Sequence, residues 1–565
     1  VLTVGGVIRS ETTKLWTLRS PSWLVGAIML VPIALGMARA AVAPPEWNAD
    51  ATVGVIAALE ASAVGALPAA FLAAVLGLIA MGAERTDDAI SATFAAVPRR
   101  RLVVLAKCLP AAGAAMAASL IGLALAAILA VVVLGARGYG ALPVGTMAAV
   151  VVGGAVAVAL VSVLGVASAA LTRSVSTAAI QLLGLLAVAP TVIGIAGGRS
   201  AQWLTDLLPA TAIQAVVTRP PAVALTIEGA PPSSLGWPAA MLVLAAWASG
   251  LLAVALVRIG HTSASGRWPR PRPRTSARAE GRGRPALGTL NVLGSEALKL
   301  RTSAPVWWCL GLTTVATVAI ALLRASIVRP DDVVPGALTA EDLVSITADE
   351  QAQTIAGGIG LAQLLLATAG ALVFTSEFGS GSIGPTLLAA PRRTMVFLVK
   401  VGVVTLTAGL VSALGHGVAA LVATPIQHRQ GFASVLSAPI VFETVLRCTV
   451  ASLLVTAIGC AAGALLRLPV ASVAALVGVF VLSHSALGPL QTAAQGTPLV
   501  WVANVDEFFP SAVVAVQPIP DDSWWPQFLV GDVLQLDPGQ SMGVLAAWAV
   551  LSLGIALLVF QRRRI

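Results

Sequence analysis

Apolar residues in this chain run in long unbroken stretches and do not alternate with polar ones. Asp, Glu, Lys and Arg are all absent from 108–136, 138–172 and 174–198. A helix rises 1.5 Å per residue and needs about 20 apolar residues to cross roughly 30 Å of hydrocarbon, a length these stretches meet. They do not have the alternating, roughly ten-residue segments of a membrane β-barrel. The pattern predicts an all-α polytopic protein of about 12 transmembrane spans. In the first half the spans are placed at 22–41, 53–82, 103–134, 143–171, 175–197 and 237–257. In the second half they are placed at 305–325, 352–376, 396–424, 438–466, 470–490 and 541–560. Residues 5–20 and 291–303 mix charged and apolar positions, which predicts amphipathic helices lying on a membrane face. Ala, Gly, Ser and Thr are frequent in the spans and favour close helix approach.

The same features occur twice. Residues 10–23 read SETTKLWTLRSPSW and residues 295–307 read SEALKLRTSAPVW, which correspond with a single gap. Residues 84–107 (ERTDDAISATFAAVPRRRLVVLAK) align without a gap to 377–400 (EFGSGSIGPTLLAAPRRTMVFLVK), with ten of 24 positions identical. Arg173 matches Arg467 in a short polar break, and Leu208-Pro209 matches Phe509-Pro510 before the last span. Four landmarks in one order predict two copies of a six-span unit, residues 1–260 and 291–565, joined by a linker at 261–290. An even number of spans returns each copy to its starting side, so the repeats are parallel, unlike the inverted repeats of many secondary transporters. A parallel duplication suits two-fold contact with a partner on one face of the membrane.

Composition agrees with the bilayer reading. Charged residues make up 10% of the chain and mean hydropathy is +0.92, against roughly 25% charged in a soluble domain. The net charge of +9 does not indicate nucleic-acid binding, because most Lys and Arg residues fall on one set of loops and most acids on the other. That is the positive-inside bias, and it places both termini in the cytoplasm and the chain in the plasma membrane. The linker, rich in Pro, Gly, Ser and Arg, has too little apolar surface to fold and reads as solvated. Ala38-Arg39-Ala40 resembles a cleavage site, but the segment recurs mid-chain, so it reads as a retained first span. Cys108, Cys309, Cys448 and Cys460 lie in or beside apolar runs with no metal-ligand spacing.

No enzyme constellation emerges. The four histidines are scattered, and Gly379-x-Gly381-x-x-Gly384 lacks the strand and helix a dinucleotide site requires, since a span precedes it and Pro385 follows. There is no G-x-x-x-x-G-K-[ST] for ATP. The duplicated loop is the most specific feature. Glu84 and Glu377 end span two, where the helix dipole disfavours a carboxylate, so each should have a cationic partner. Lys14, Lys299 and an arginine of another subunit are the choices. Pro98 and Pro391 end a short helical stretch, Arg99, Arg100, Arg392 and Arg393 mark the membrane edge, and Lys107 and Lys400 are placed to snorkel toward the headgroups. Charges and imidazoles inside spans are candidate path residues: Glu60, His416 and the i, i+4 pair Glu443 and Arg447.

The segment SEFGSGSIGPTLLAAPRR…K resembles the cytoplasmic loop between spans two and three of the type-2 family of ATP-binding-cassette exporter permeases. The Ser-Glu-x-x-Lys-Leu helix, the six-span unit and the late Leu-Pro or Phe-Pro resemble that family too. The first copy departs from the pattern, with Asp87 and Asp88 in place of small residues and Phe94 in place of Leu. The resemblance implies that Glu11, Lys14, Glu296 and Lys299 belong to interfacial helices. It also implies that 84–98 and 377–391 dock on a cytoplasmic ATPase dimer, which would hold the ATP and Mg. This chain then carries no cofactor, metal or catalytic residue and moves an amphipathic small molecule outward between its halves. The alternative readings are a proton-coupled secondary transporter, in which Glu60, Glu443 or His416 titrates, and a membrane anchor without transport.

Overall fold

The computed structural model describes residues 3–17, 19–42, 58–86, 93, 96–97, 99–138, 144–172, 175–190, 193, 202–218, 235–261, 289–328, 350–390, 392–432, 439–483, 508–510, 536 and 538–562. These residues form an all-α, multi-pass membrane protein. The N-terminal half contains α1 (Val4–Thr17), α2 (Arg19–Val42), α3 (Ala66–Thr86), α4 (Arg100–Ala136) and α5 (Val144–Leu171). It continues through α6 (Val175–Leu183), α7 (Gln202–Asp206), α8 (Pro209–Thr218) and α9 (Trp237–His261). The C-terminal half contains α10 (Thr289–Thr302), α11 (Ala304–Ile327), α12 (Ile359–Ser380), α13 (Ile383–Ala389) and α14 (Arg393–Arg429). It ends with α15 (Pro439–Leu466), α16 (Pro469–Val477) and α17 (Pro538–Arg562).

Ten helices among the described residues are long and apolar enough to cross a membrane, against the twelve expected. The difference lies at the two segments placed as span five. There α6 and α16 each run for nine residues and pass into a five-residue π-helical stretch, Gly184–Val188 and Gly478–Leu482. The described helical run is 175–190 in one half and 469–483 in the other, and most of the residues that follow each lie outside the described ones. Helices α4 and α14 show the opposite departure. Each has 37 residues, about 55 Å, so about 25 Å stands outside the hydrocarbon. Their N-terminal ends, which carry Lys107 and Lys400, meet α1 and α10.

In each half one pair of helices forms the centre: α3 against α5, and α12 against α15. Glycine makes this approach possible. A Cβ added at Gly165 would lie 2.2 Å from the Ala74 carbonyl oxygen, and one at Gly77 2.1 Å from that of Ser162. The C-terminal pair is alike, with 2.0 Å from Gly459 to the Ala367 oxygen and 2.3 Å from Gly370 to the Thr456 oxygen. Without a hydrophobic driving force inside lipid, such backbone-close contact is a main source of helix association. Helices α2, α4 and α9 surround the first centre and α11, α14 and α17 the second, while α16 meets α3 and α6 across the halves. At the end remote from α1, Trp247 donates to the Leu207 carbonyl at 2.7 Å and Trp548 to that of Phe508 at 2.8 Å. These bonds tie α9 and α17 to the bends that precede Pro209 and Pro510.

Gly165→Ala and Gly459→Ala should each force the central helices apart and lower the thermal midpoint of the detergent-purified protein, at a cost of about 1–3 kcal/mol. Gly402→Ala, where a Cβ meets nothing within 4 Å, should leave it unchanged.

Candidate functional site

Helices α1 and α10 bury one face each: Val7, Glu11 and Leu15 in the first, Val292, Glu296 and Leu300 in the second. The middle member of each i, i+4, i+8 row is a glutamate. A carboxylate in such a position is tolerable only with its counter-charge beside it.

Lys107, on the second turn of α4, supplies that charge. Its Nζ donates to Glu11 Oε2 at 2.6 Å and lies 3.1 Å from Glu84 Oε1. Lys14 completes the group, 2.7 Å from Glu11 Oε1 and 2.7 Å from Glu84 Oε1. The C-terminal half has the same arrangement. Lys400 donates to Glu296 Oε2 and, at 2.7 Å, to Glu377 Oε1. Lys299 lies 2.7 Å from Glu296 Oε1 and 2.9 Å from Glu377 Oε1. Each cluster thus joins a surface helix, the end of α3 or α12, and the start of α4 or α14, with two carboxylates balancing two ammonium groups.

Lys107 and Lys400 do not snorkel outward. Their side chains are 3% and 1% exposed, because two carboxylates each reach inward and hold the ammonium better than headgroup water does. Lys400 also lies 5.8 Å from the Phe374 ring centroid, and Phe374, Phe378, Phe397 and Phe560 form one cluster of rings in mutual contact. The aligned positions of the first half are Met81, Arg85 and Val104 for the first three.

Electrostatics follow from this geometry. Burial by itself lowers the Lys14 and Lys299 ammonium groups, but the hydrogen bonds they donate, Lys14 to Glu11 and Glu84 and Lys299 to Glu296 and Glu377, together with the charge of those carboxylates, outweigh it and hold both above the ordinary 10.5. Glu84 lies just beyond the span that ends at Gly82. Burial raises its carboxyl, yet Lys107 and Lys14 together hold it below the ordinary 4.5.

The remaining loop residues separate from the clusters. Gly381 caps α12 in the left-handed conformation at φ 69°, which lets the chain turn sharply into α13. Gly379 and Gly381 are exposed, as are Arg99 and Arg392. Arg393 donates instead to the Gln561 carbonyl at 3.1 Å and to that of Phe560, capping the end of α17. Arg100 stands on the first turn of α4. Asp87, Asp88, Pro98 and Pro391 lie outside the described residues.

The membrane-embedded candidates are scattered. Glu60 pairs with Arg39. Glu443 pairs with Arg447 on the surface of α15. His416 is buried, its Nδ1 is 2.9 Å from the Ser412 carbonyl oxygen, and its Nε2 has no partner among the described residues. Sequence reasoning missed Arg324, whose Nε lies 2.9 Å from Glu350 Oε1 while its Nη2 donates to Gln353 Oε1 at 2.6 Å. The signal was available, since Arg324 stands in the last turn of its span as Arg39 does. A small apolar crevice lies between the halves, lined by Phe71, Leu78, Leu182, Leu186, Val473 and Val477 among others.

No family model matches the chain, and no curated protein does either.

Removing one partner from a buried ion group leaves an uncompensated charge and costs about 3–5 kcal/mol. Lys400→Met should therefore destabilise strongly in a thermal melt. Lys400→Met with Glu377→Gln should cost less than the two single changes added together. The pH response also has a fixed sign. Glu84, lowered, contributes stability above its ordinary pH of 4.5 that is lost as pH falls through the lowered value. Lys14 and Lys299, raised, contribute stability below 10.5 that is lost as pH climbs through their raised values. Protection of α1 and α10 in hydrogen exchange should be flat between these limits and fall outside them.

Proposed function

We propose that this chain is the permease of an ATP-driven exporter, two six-span units fused in tandem and oriented with the ion clusters on the cytoplasmic side of the plasma membrane. The observation that carries this reading is the matched pair of clusters. In each half a surface helix, the end of one span, the start of the next and the loop between them meet at four charges, with the lysine of the longer span helix and the glutamate of the surface helix buried. Force applied to the loop from outside the membrane would reach both spans and the surface helix through rigid, low-dielectric contacts. A membrane anchor has no use for two such transmissions. An ATPase with two like subunits, each docking on one loop at 84–98 or 377–391, has a use for both.

In this reading the segments 175–197 and 470–490 complete the twelve spans, and the apolar crevice beside α6 and α16 belongs to the path of an amphipathic cargo. The departures from symmetry give the halves unequal parts. A proton-driven carrier needs a carboxylate free to load and release a proton, and the pairing of Glu60 with Arg39 and of Glu443 with Arg447 works against it.

Affinity purification of the full chain from its native membrane should co-isolate a nucleotide-hydrolysing subunit. In that complex Glu377→Ala, or deletion of 380–384, should leave membrane insertion intact and remove cargo-stimulated hydrolysis. Unchanged stimulation in those variants, or transport by the chain alone under a pH gradient, would sink the proposal.

A further inference from the structure

Span two is interrupted at the same place in both halves. A short helical segment, 58–63 or 350–356, is set off by a two-residue turn, 64–65 or 357–358, from the α3 or α12 helix that follows. The turns end on Gly65 and Gly358, which correspond in the register that pairs Glu84 with Glu377. Each glycine is pressed against span one. A Cβ added at Gly65 would lie 2.3 Å from Pro32 Cα, and one at Gly358 2.5 Å from Thr317 Cα. Pro32 and Thr317 correspond in turn, in the register that pairs Glu11 with Glu296.

On the far side of the turn an arginine of span one holds the short segment. Arg39 pairs with Glu60. Arg324, which aligns with Arg39, donates from Nε to Glu350 Oε1 at 2.9 Å and from Nη2 to Gln353 Oε1 at 2.6 Å. Gln353 is the residue aligned with Glu60, and Ala57 is the one aligned with Glu350. The carboxylate thus sits one turn earlier in the second half, and a neutral acceptor occupies its place. Thr354 donates to Glu350 Oε1 at 3.3 Å and accepts from Gln427 of α14 at 3.0 Å, which extends the contact to a third helix.

The surface helix that precedes span one is bound to the other end of span two through the ion cluster. Span two is therefore fixed at both ends to neighbouring stretches of chain. A displacement of its cluster end has to break the arginine contact or bend the span, and helices bend where the hydrogen-bond ladder is interrupted.

We propose that the turns at Gly65 and Gly358 are hinges, and that Arg39 and Arg324 are positioning residues that keep the segment beyond each hinge on span one while α3 or α12 moves. Glycine meets both demands, since it lets span one come within backbone contact and puts no side chain in the way of the bend. The end of the bundle remote from the clusters then holds spans one and two together in every position of the main helix. What drives that helix rests on the exporter reading; the hinge does not.

Hydrogen exchange on the full chain in nanodiscs tests this. Arg39→Gln should speed exchange of amides 62–64, which bond back within the short segment, by about tenfold, the worth of a hydrogen bond to a charged group. Amides 70–82, beyond the hinge, should stay as slow as before. Arg39→Lys, which keeps the charge, should have a smaller effect. Glu350→Ala should speed amides 354–356 in the same way and leave 363–376 unchanged. Adding Gln353→Glu to it rebuilds the pair of the first half and should restore the original rate. Equal gains on both sides of the turn, a general loss of protection included, overturn the hinge. No gain in Arg39→Gln, or a double variant as fast as Glu350→Ala alone, overturns the role of the arginines. Neither ATPase nor cargo enters the measurement, so failure of the exporter reading would leave these rates standing.

Discussion

An ammonium group buried at the edge of hydrocarbon has to bring its counter-charges with it. Lys107 and Lys400 meet this condition with two glutamates each, and much of the architecture at that end follows from it. The glutamates come from different elements, one on a surface helix and one at the end of a span. The surface helix is thereby fixed against the bundle, and the start of the long α4 or α14 helix is fixed against both. The second lysine, on the surface helix itself, neutralises the remaining charge. Isolated, none of these four groups would be stable in its position. Together they hold three helices in one arrangement, and a change to any one of them leaves a charge without its partner.

Deeper in the membrane the constraint is of another kind. Water is absent, so helices cohere by close contact, and glycine at Gly77, Gly165, Gly370 and Gly459 lets backbones nearly touch. The charge clusters at one end and the glycine crossings in the middle act on the same helices, α3 and α12. A displacement of the loops that follow them is therefore transmitted along well-packed helices. The short fifth helices, which turn into π-helical stretches at Gly184 and Gly478, occupy the junction between the halves and border the apolar crevice. The crevice at that junction is lined by apolar side chains.

The halves are alike in backbone and unlike in chemistry. The C-terminal half sets its buried lysine over Phe374, one ring of a cluster of four phenylalanines, and carries His416 with Ser412 and the Arg324–Glu350–Gln353 group. The N-terminal half has Met81, Arg85 and Val104 at three of the aligned positions and an Arg39–Glu60 pair. The same helix crossings are maintained by different means, which leaves the polar groups of the second half available for specialised work.

Much of this was readable in the sequence. Unbroken apolar runs determine that the chain crosses a membrane as helices, because a span in lipid has to satisfy its backbone internally. The helix dipole made a cationic partner for Glu84 and Glu377 a physical necessity, and Lys14 and Lys299 were among the choices. The tertiary structure alone decided that Lys107 and Lys400 turn inward, since snorkelling and burial differ only in whether a carboxylate 96 or 104 residues away comes within reach. It alone brought Thr93 and Thr386 to the clusters, and it carried the fifth helices into π-helical stretches that hydropathy did not predict. Hydropathy reports which solvent a segment prefers. Which charges meet inside that solvent depends on contacts between helices distant in the chain, and periodicity within one helix carries no information about them.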